Sequence, residues 1–145
     1  EVSYEKSEFF NALYYCEEIF KHDQSNSKAW SICGAVYTNL KNFKKAIFCF
    51  KKFTELEPNK FSGYYNLTLA YIKSNLYFEA LETIELALKI DEKSSRAFYT
   101  KGYILEKLNS NKAVEFYKYA LSINPNNVNV PTVAEPLLFS DTVIT

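Results

Sequence analysis

SKAWSICGAVYTNLKNFKKAIFCFKKFTELEPNK, residues 27–60, sets Trp30, Cys33, Gly34, Tyr37, Ala46, Phe50 and Pro58 in a fixed order of large, small and helix-stopping residues. The same frame, moved on by 34 residues, meets Tyr64, Leu67, Thr68, Tyr71, Ala80, Ile84 and Ala87. Moved again, it meets Phe98, Gly102 and Leu105, and then Ala113, Tyr117, Ala120 and Pro125, each one position early. Moved backward, it lands on Ala12, Cys16 and Ile19. Self-similarity at a fixed period marks an array of one copied supersecondary unit. Residues 1–127 therefore read as a repeat domain. It comprises a lone helix at 8–21 and complete units at 27–60, 61–94 and 95–127, and a non-repeat, apolar tail follows at 128–145.

Each unit predicts two helices, because its apolar residues recur at three and four. Trp30, Cys33, Tyr37 and Leu40 make one stripe, and Ala46, Ile47, Phe50, Phe53 and Leu56 the other. Gly34 with Ala46, Thr68 with Ala80, and Gly102 with Ala113 are small where the two axes cross, which permits close approach. Pro58 and Pro125 are stop signals after second helices, whereas Glu92 leaves the middle boundary less sharply written. Ser7, Ser27 and Ser94, with Asn42 and Ser110, are placed to cap helix starts. The third unit is one residue short in its turn, Leu108 to Asn111, which reads as a loop deletion.

The spacing resembles the tetratricopeptide repeat, over residues 8 to 127, with Cys33 where leucine is usual. The resemblance implies an all-α fold: a right-handed α-solenoid of antiparallel helix pairs. It also implies a protein with no catalytic activity that binds a peptide or helix of another protein in a concave groove lined by the first helices. Helical geometry places the groove on Ser31, Ala35 and Asn39 of the first unit, Tyr65, Leu69 and Lys73 of the second, and Tyr99, Tyr103 and Lys107 of the third. Asn66 lies near it and is placed to hydrogen-bond a peptide backbone. One branch of the family grips acidic chaperone tails with a clamp of Lys, Asn and Arg. Ser31, Ala35, Leu69, Tyr99 and Tyr103 stand at those places, so the clamp is absent. The expected ligand is instead an apolar or amphipathic segment flanked by acidic residues, in an aromatic groove edged by lysines.

Formal net charge is zero, but it is distributed as −4 over residues 1–26, +6 over 27–127 and −2 over the tail. Acidic ends on a basic array favour docking within or between chains. Lys44, Lys45, Lys51 and Lys52 lie on the face of a second helix opposite its apolar stripe, which reads as a solvated convex surface. Neutral overall charge argues against a nucleic-acid footprint. In the tail, Val133, Leu137, Leu138 and Phe139 lie between Glu135 and Asp141. Either the tail covers the last helix pair, or it occupies its own groove or a neighbour's and links copies.

No constellation for catalysis, cofactor or metal is legible. His22 is the single histidine, and a histidine-based relay or metal site needs partners. Cys16, Cys33 and Cys49 fall in apolar stripes and read as buried thiols. Their odd number fits a reducing, cytoplasmic setting better than a disulfide framework, although Cys33 and Cys49 sit on paired helices. Asn66-Leu67-Thr68 matches a glycosylation acceptor, but inside a helix. No stretch is long and apolar enough to span a membrane. The chain starts at Glu1 and contains no Met, which suggests a piece of a longer protein. Beside the scaffold reading stand a regulatory or docking module of an enzyme and a self-associating module acting through the tail.

Overall fold

The computed structural model describes residues 2–126, with side chains from Glu5 onward. The tail at 128–145, and every expectation placed on it, lies outside the described residues. Among the described residues seven α-helices follow one another: α1 (Val2–His22), α2 (Ser27–Asn39), α3 (Phe43–Leu56), α4 (Phe61–Lys73), α5 (Tyr77–Ile90), α6 (Ser95–Lys107) and α7 (Ala113–Ile123). The extensive packing joins consecutive helices only. This is the nearest-neighbour construction of a solenoid, in which α2–α3, α4–α5 and α6–α7 are the pairs. One apolar cluster runs from Ala35 and Phe50 through α4 and α5 to Ile104. A second, around Leu13, Cys16, Ala29, Cys33, Val36 and Cys49, fastens α1 to the first pair.

Helix α1 starts at Val2 rather than near Glu8. No Gly or Pro interrupts residues 2–22, and Glu5 in the first turn faces the positive end of the helix dipole. Ser7 is consequently an interior residue and no cap. The cap of α2 is Asn26, whose side chain accepts the Ala29 N–H at 3.0 Å. That leaves the Ser27 hydroxyl to donate to Glu57 Oε1 at 2.8 Å, tying the start of α2 to the end of α3. Ser94 and Asn42 cap α6 and α3 as expected.

The missing residue of the third unit shortens the helix and not the loop, since five residues (108–112) join α6 to α7 where three join the helices of each other pair. α3 and α5 begin three residues before Ala46 and Ala80, whereas α7 begins at Ala113 itself. Ser110 Oγ accepts from the Lys112 N–H at 3.3 Å, ahead of the helix. The middle boundary is as sharp as the others despite lacking a proline. Asp91 ends α5 in an extended conformation, and its carboxylate accepts the Lys93 N–H at 3.1 Å. Asp23 and Asn124 make the same local turn after α1 and α7, so Asx geometry stops these helices where the proline was expected to.

All three turns within pairs are built alike. Lys41, Asn75 and Asn109 take positive φ, 61°, 59° and 58°. The next residue's N–H returns to the last turn of the helix: Asn42 to Tyr37 O, Leu76 to Tyr71 O and Ser110 to Leu105 O, at 2.8–2.9 Å. This Schellman closure satisfies carbonyls the helix end leaves unpaired. Asparagine tolerates the left-handed conformation; lysine does so with more strain.

Within the first pair a β-carbon on Gly34 would lie 2.5 Å from the Phe50 ring. Phe50 is fully buried and has nowhere to move. Gly102 stands in the same relation to Tyr117, at 2.8 Å. The middle pair carries Thr68 at the glycine position and Ile84 at the ring position, so bulk on one helix is matched by its reduction on the other.

Two stability outcomes follow. Gly34→Ala lowers stability by about 1–3 kcal/mol through overpacking, although Ala is the better helix former. Adding Phe50→Ile recovers part of the loss, as a non-additive pair in urea unfolding. An alanine that proves neutral or stabilising would mean the crossing tolerates a methyl. Lys41→Gly, by relieving the left-handed strain, raises stability by about 0.5–1 kcal/mol in the same assay.

Candidate peptide-binding face of the first helices

The ten groove residues fall into two sets. Ala35, Tyr65, Asn66, Leu69, Tyr99 and Tyr103 are buried, while Ser31, Asn39 and Lys73 are half-buried and Lys107 is exposed. The first set forms a floor filled by the protein's own rings, and the second a polar margin above it.

Tyr65 is the centre of that floor. Its ring stacks on Phe61 with centroids 5.5 Å apart and planes at 16°, and the Arg96 guanidinium lies 5.5 Å from its centroid. Thr100 spends its hydroxyl proton on Arg96 O at 2.9 Å. The 3.3 Å contact between Tyr65 Oη and Thr100 Oγ1 is therefore a bond that Tyr65 donates, joining α4 to α6. In the third unit Tyr99 packs on Tyr117, whose hydroxyl donates to Glu106 Oε2 at 2.7 Å. Lys107 Nζ lies 5.5 Å from the Tyr103 ring centre, within cation–π range. Arg96 escaped the sequence reading; it stands in the register of Lys28 and Ser62, a position charged in two of the three units.

Asn39 donates to Ala35 O at 3.1 Å, within its own helix. Asn66 differs: its Oδ1 is buried and has no hydrogen-bond partner among the described residues. Because Asn66 is packed inside α4, the acceptor pattern that starts there is closed to a glycan.

Elsewhere, three of the four lysines of α3 are engaged with rings. Lys45 lies over Tyr37, Lys51 over Tyr71 and Lys52 over Phe48, at 5.3, 6.0 and 5.8 Å. Lys52 also pairs with Glu55 at 3.7 Å. Cys16, Cys33 and Cys49 are free and buried, and their thiols hydrogen-bond in sequence across α1, α2 and α3. Burial, with Cys33 alongside, pushes Cys16 up to about 12. The bond to Cys49, with burial, raises Cys33. Such thiols are poor nucleophiles. Among the described residues no group of three His, Cys, Asp or Glu side chains is arranged to hold a metal, and no helix is long and apolar enough to cross a membrane.

The family model for the tetratricopeptide repeat matches residues 27–60, 61–94 and 95–127. The chain belongs to the tetratricopeptide repeat family. Its fold is that of a repeat solenoid: the crystal structure of MamA superposes with a TM-score of 0.80 at 24% identity, covering 86% of this chain and 74% of that one. Among curated relatives, protein bimA of Emericella nidulans is 25% identical over 115 residues, 79% of this chain and 14% of that protein. Anaphase-promoting complex subunit 3 of Schizosaccharomyces pombe is 31% identical over 103 residues, 70% of this chain and 16% of that protein. The chain thus spans about a sixth or less of these relatives' lengths. Repeats of this family are generally non-catalytic, and the likeness supports a protein–protein interaction scaffold.

Burial makes this floor sensitive to alkali. Desolvation pushes Tyr65 up to about 12 against the weaker pull of the Arg96 charge, and raises Tyr99 and Tyr117 as well. A tyrosine in the unfolded chain ionises near ~10. The folded state thus holds its proton longer, and stability is intact below that pH and falls as pH rises to about 12. Urea midpoints measured across this range should decline, and Tyr65→Phe should flatten the decline after a constant loss of about 1 kcal/mol for its hydrogen bond.

Proposed function

We propose that this chain is a non-catalytic scaffold whose first helices receive an apolar or amphipathic peptide segment of a partner protein, with Asn66 contacting the peptide backbone. The observation that carries this reading is the Asn66 carbonyl oxygen, buried without a donor in an otherwise aromatic floor. Leaving such an acceptor unpaired costs about 1–3 kcal/mol, and a ligand N–H removes that cost. Apolar groups of the ligand lie against the narrow exposed edges of Tyr65, Tyr99 and Tyr103, which Leu69 supports from beneath. Ala35 extends the floor and Ser31 and Asn39 its polar margin, while Arg96, Lys73 and Lys107 favour acidic residues at the ligand's ends.

The segment 131–143, PTVAEPLLFSDTV, has this composition and serves as a probe. A labelled peptide of that sequence, titrated into the full chain by fluorescence anisotropy, should bind saturably. Asn66→Leu is expected to raise the urea midpoint, since the orphan acceptor is gone, while weakening the peptide roughly tenfold or more. A variant that gains stability and binds the peptide undiminished would remove Asn66 from the binding face.

A further inference from the structure

Each second helix turns one row of side chains toward the first helix of its own unit. In α3 that row includes Cys49, which is buried in one cluster with Cys33 of α2. In α7 it includes Phe116, which lies parallel to Phe98 of α6 with Lys101 Nζ 4.2 Å from its centre. Tyr15 of α1 stands 34 residues before Cys49. Cys49 is 4% exposed and Tyr15 67%.

α2 carries the matching gap. Residues 32, 66 and 100 share one register, and Thr100 shows where it points, since it accepts the hydroxyl of Tyr65 on the preceding first helix. Asn66 and Thr100 are 6% and 0% exposed, whereas Ile32 is 38% exposed. Tyr15 and Ile32 therefore border one apolar strip, at the place a first helix occupies in every complete unit. No described residue fills it.

We propose that this strip docks an amphipathic α-helix of a partner protein, lying antiparallel to α1 in the position of an additional first helix. The protein's own first helices specify its chemistry. α2, α4 and α6 have 13 residues each, an aromatic in the first turn at Trp30, Tyr64 or Phe98, and a small residue one turn later at Gly34, Thr68 or Gly102. Two of them end on lysine in the last turn. Charge complementarity adds to the fit. Residues 1–26 carry net −4, and Glu8 lies two turns before Tyr15 on the same side of α1. An antiparallel helix brings its C-terminus to that end, so the docked helix carries Lys or Arg in its last turn, where the helix dipole also favours cations.

The probe is a blocked, labelled peptide with the sequence of residues 94–108, SSRAFYTKGYILEKL, which contains α6 and its cap. Titrated into the full chain, it is expected to bind with a saturable anisotropy change, while a reordered, non-amphipathic peptide of equal composition does not. Tyr15→Ala and Ile32→Asp, both at solvent-exposed positions, should weaken it by about tenfold or more without lowering the urea midpoint. Asn66→Leu should leave it unchanged, which separates this surface from the groove. Absence of binding, or binding that ignores Ile32→Asp, overturns the proposal. So does a dimer in sedimentation that Ile32→Asp converts to monomer, which assigns the strip to a second copy. Peptide binding that appears only once residues 127–145 are removed would assign it to the chain's own terminus.

Discussion

A helix pair of this kind has apolar side chains on both broad faces, so it is stable only with a neighbour against each. That requirement governs the whole array. Phe53 of α3 packs so closely on α4 that a β-carbon on Gly63 would lie 2.6 Å from its ring. Tyr65 bonds across to Thr100, and Lys101 of α6 pairs with Glu85 of α5. These contacts cross unit boundaries, and the largest apolar cluster does too, running from α2 to α6. Energy that in a globular domain would belong to one core is here divided among interfaces. An end that lacks an interface shows it as exposed apolar surface, as Tyr15 and Ile32 do.

Periodicity made the pairs legible because crossing geometry allows few substitutions. Gly34, Thr68 and Gly102 announce the crossing, and the residues opposite them adjust in volume. Helix ends were less legible, because several neighbouring residues can cap with equal chemistry. Ser27 and Asn26 both carry a suitable oxygen, and only the position of Glu57 as a partner for Ser27 resolves which one caps. Likewise Pro58 and Pro125 suggested what stops a second helix, while Asp91 shows that a carboxylate accepting a nearby N–H does the same. The start of α1 was missed because a polar run such as Tyr4-Glu5-Lys6-Ser7 reads as a lead-in unless the dipole benefit of Glu5 is weighed.

The expected groove could be written from the sequence as a set of positions, but the burial of those positions could not. Helical geometry says which way Tyr65, Tyr99 and Tyr103 point, yet their burial depends on ring packing between units, which no single helix encodes. Arg96 over the Tyr65 ring and the bond from Tyr65 to Thr100 fix the floor in place. The lysines of α3 illustrate the same limit. They lie opposite the apolar stripe as expected, but three of them also cover rings of their own or the adjoining unit, so long cationic stems serve partly as lids on aromatic surface.

Ile32 and Asn66 occupy one register and violate opposite rules. Asn66 is a buried acceptor without a donor; Ile32 is apolar surface without a cover. The preceding first helix explains both. Where it is present, position 66 is sealed from water and its polarity becomes costly; where none is described, position 32 remains wet and its apolarity is unsatisfied. Exchanging the two residue types would relieve both, with an amide in water at 32 and a branched alkyl group buried at 66. The sequence holds the less stable arrangement at each place. The same inter-helix spacing therefore leaves an acceptor buried without a donor inside the array and an apolar strip exposed at one end.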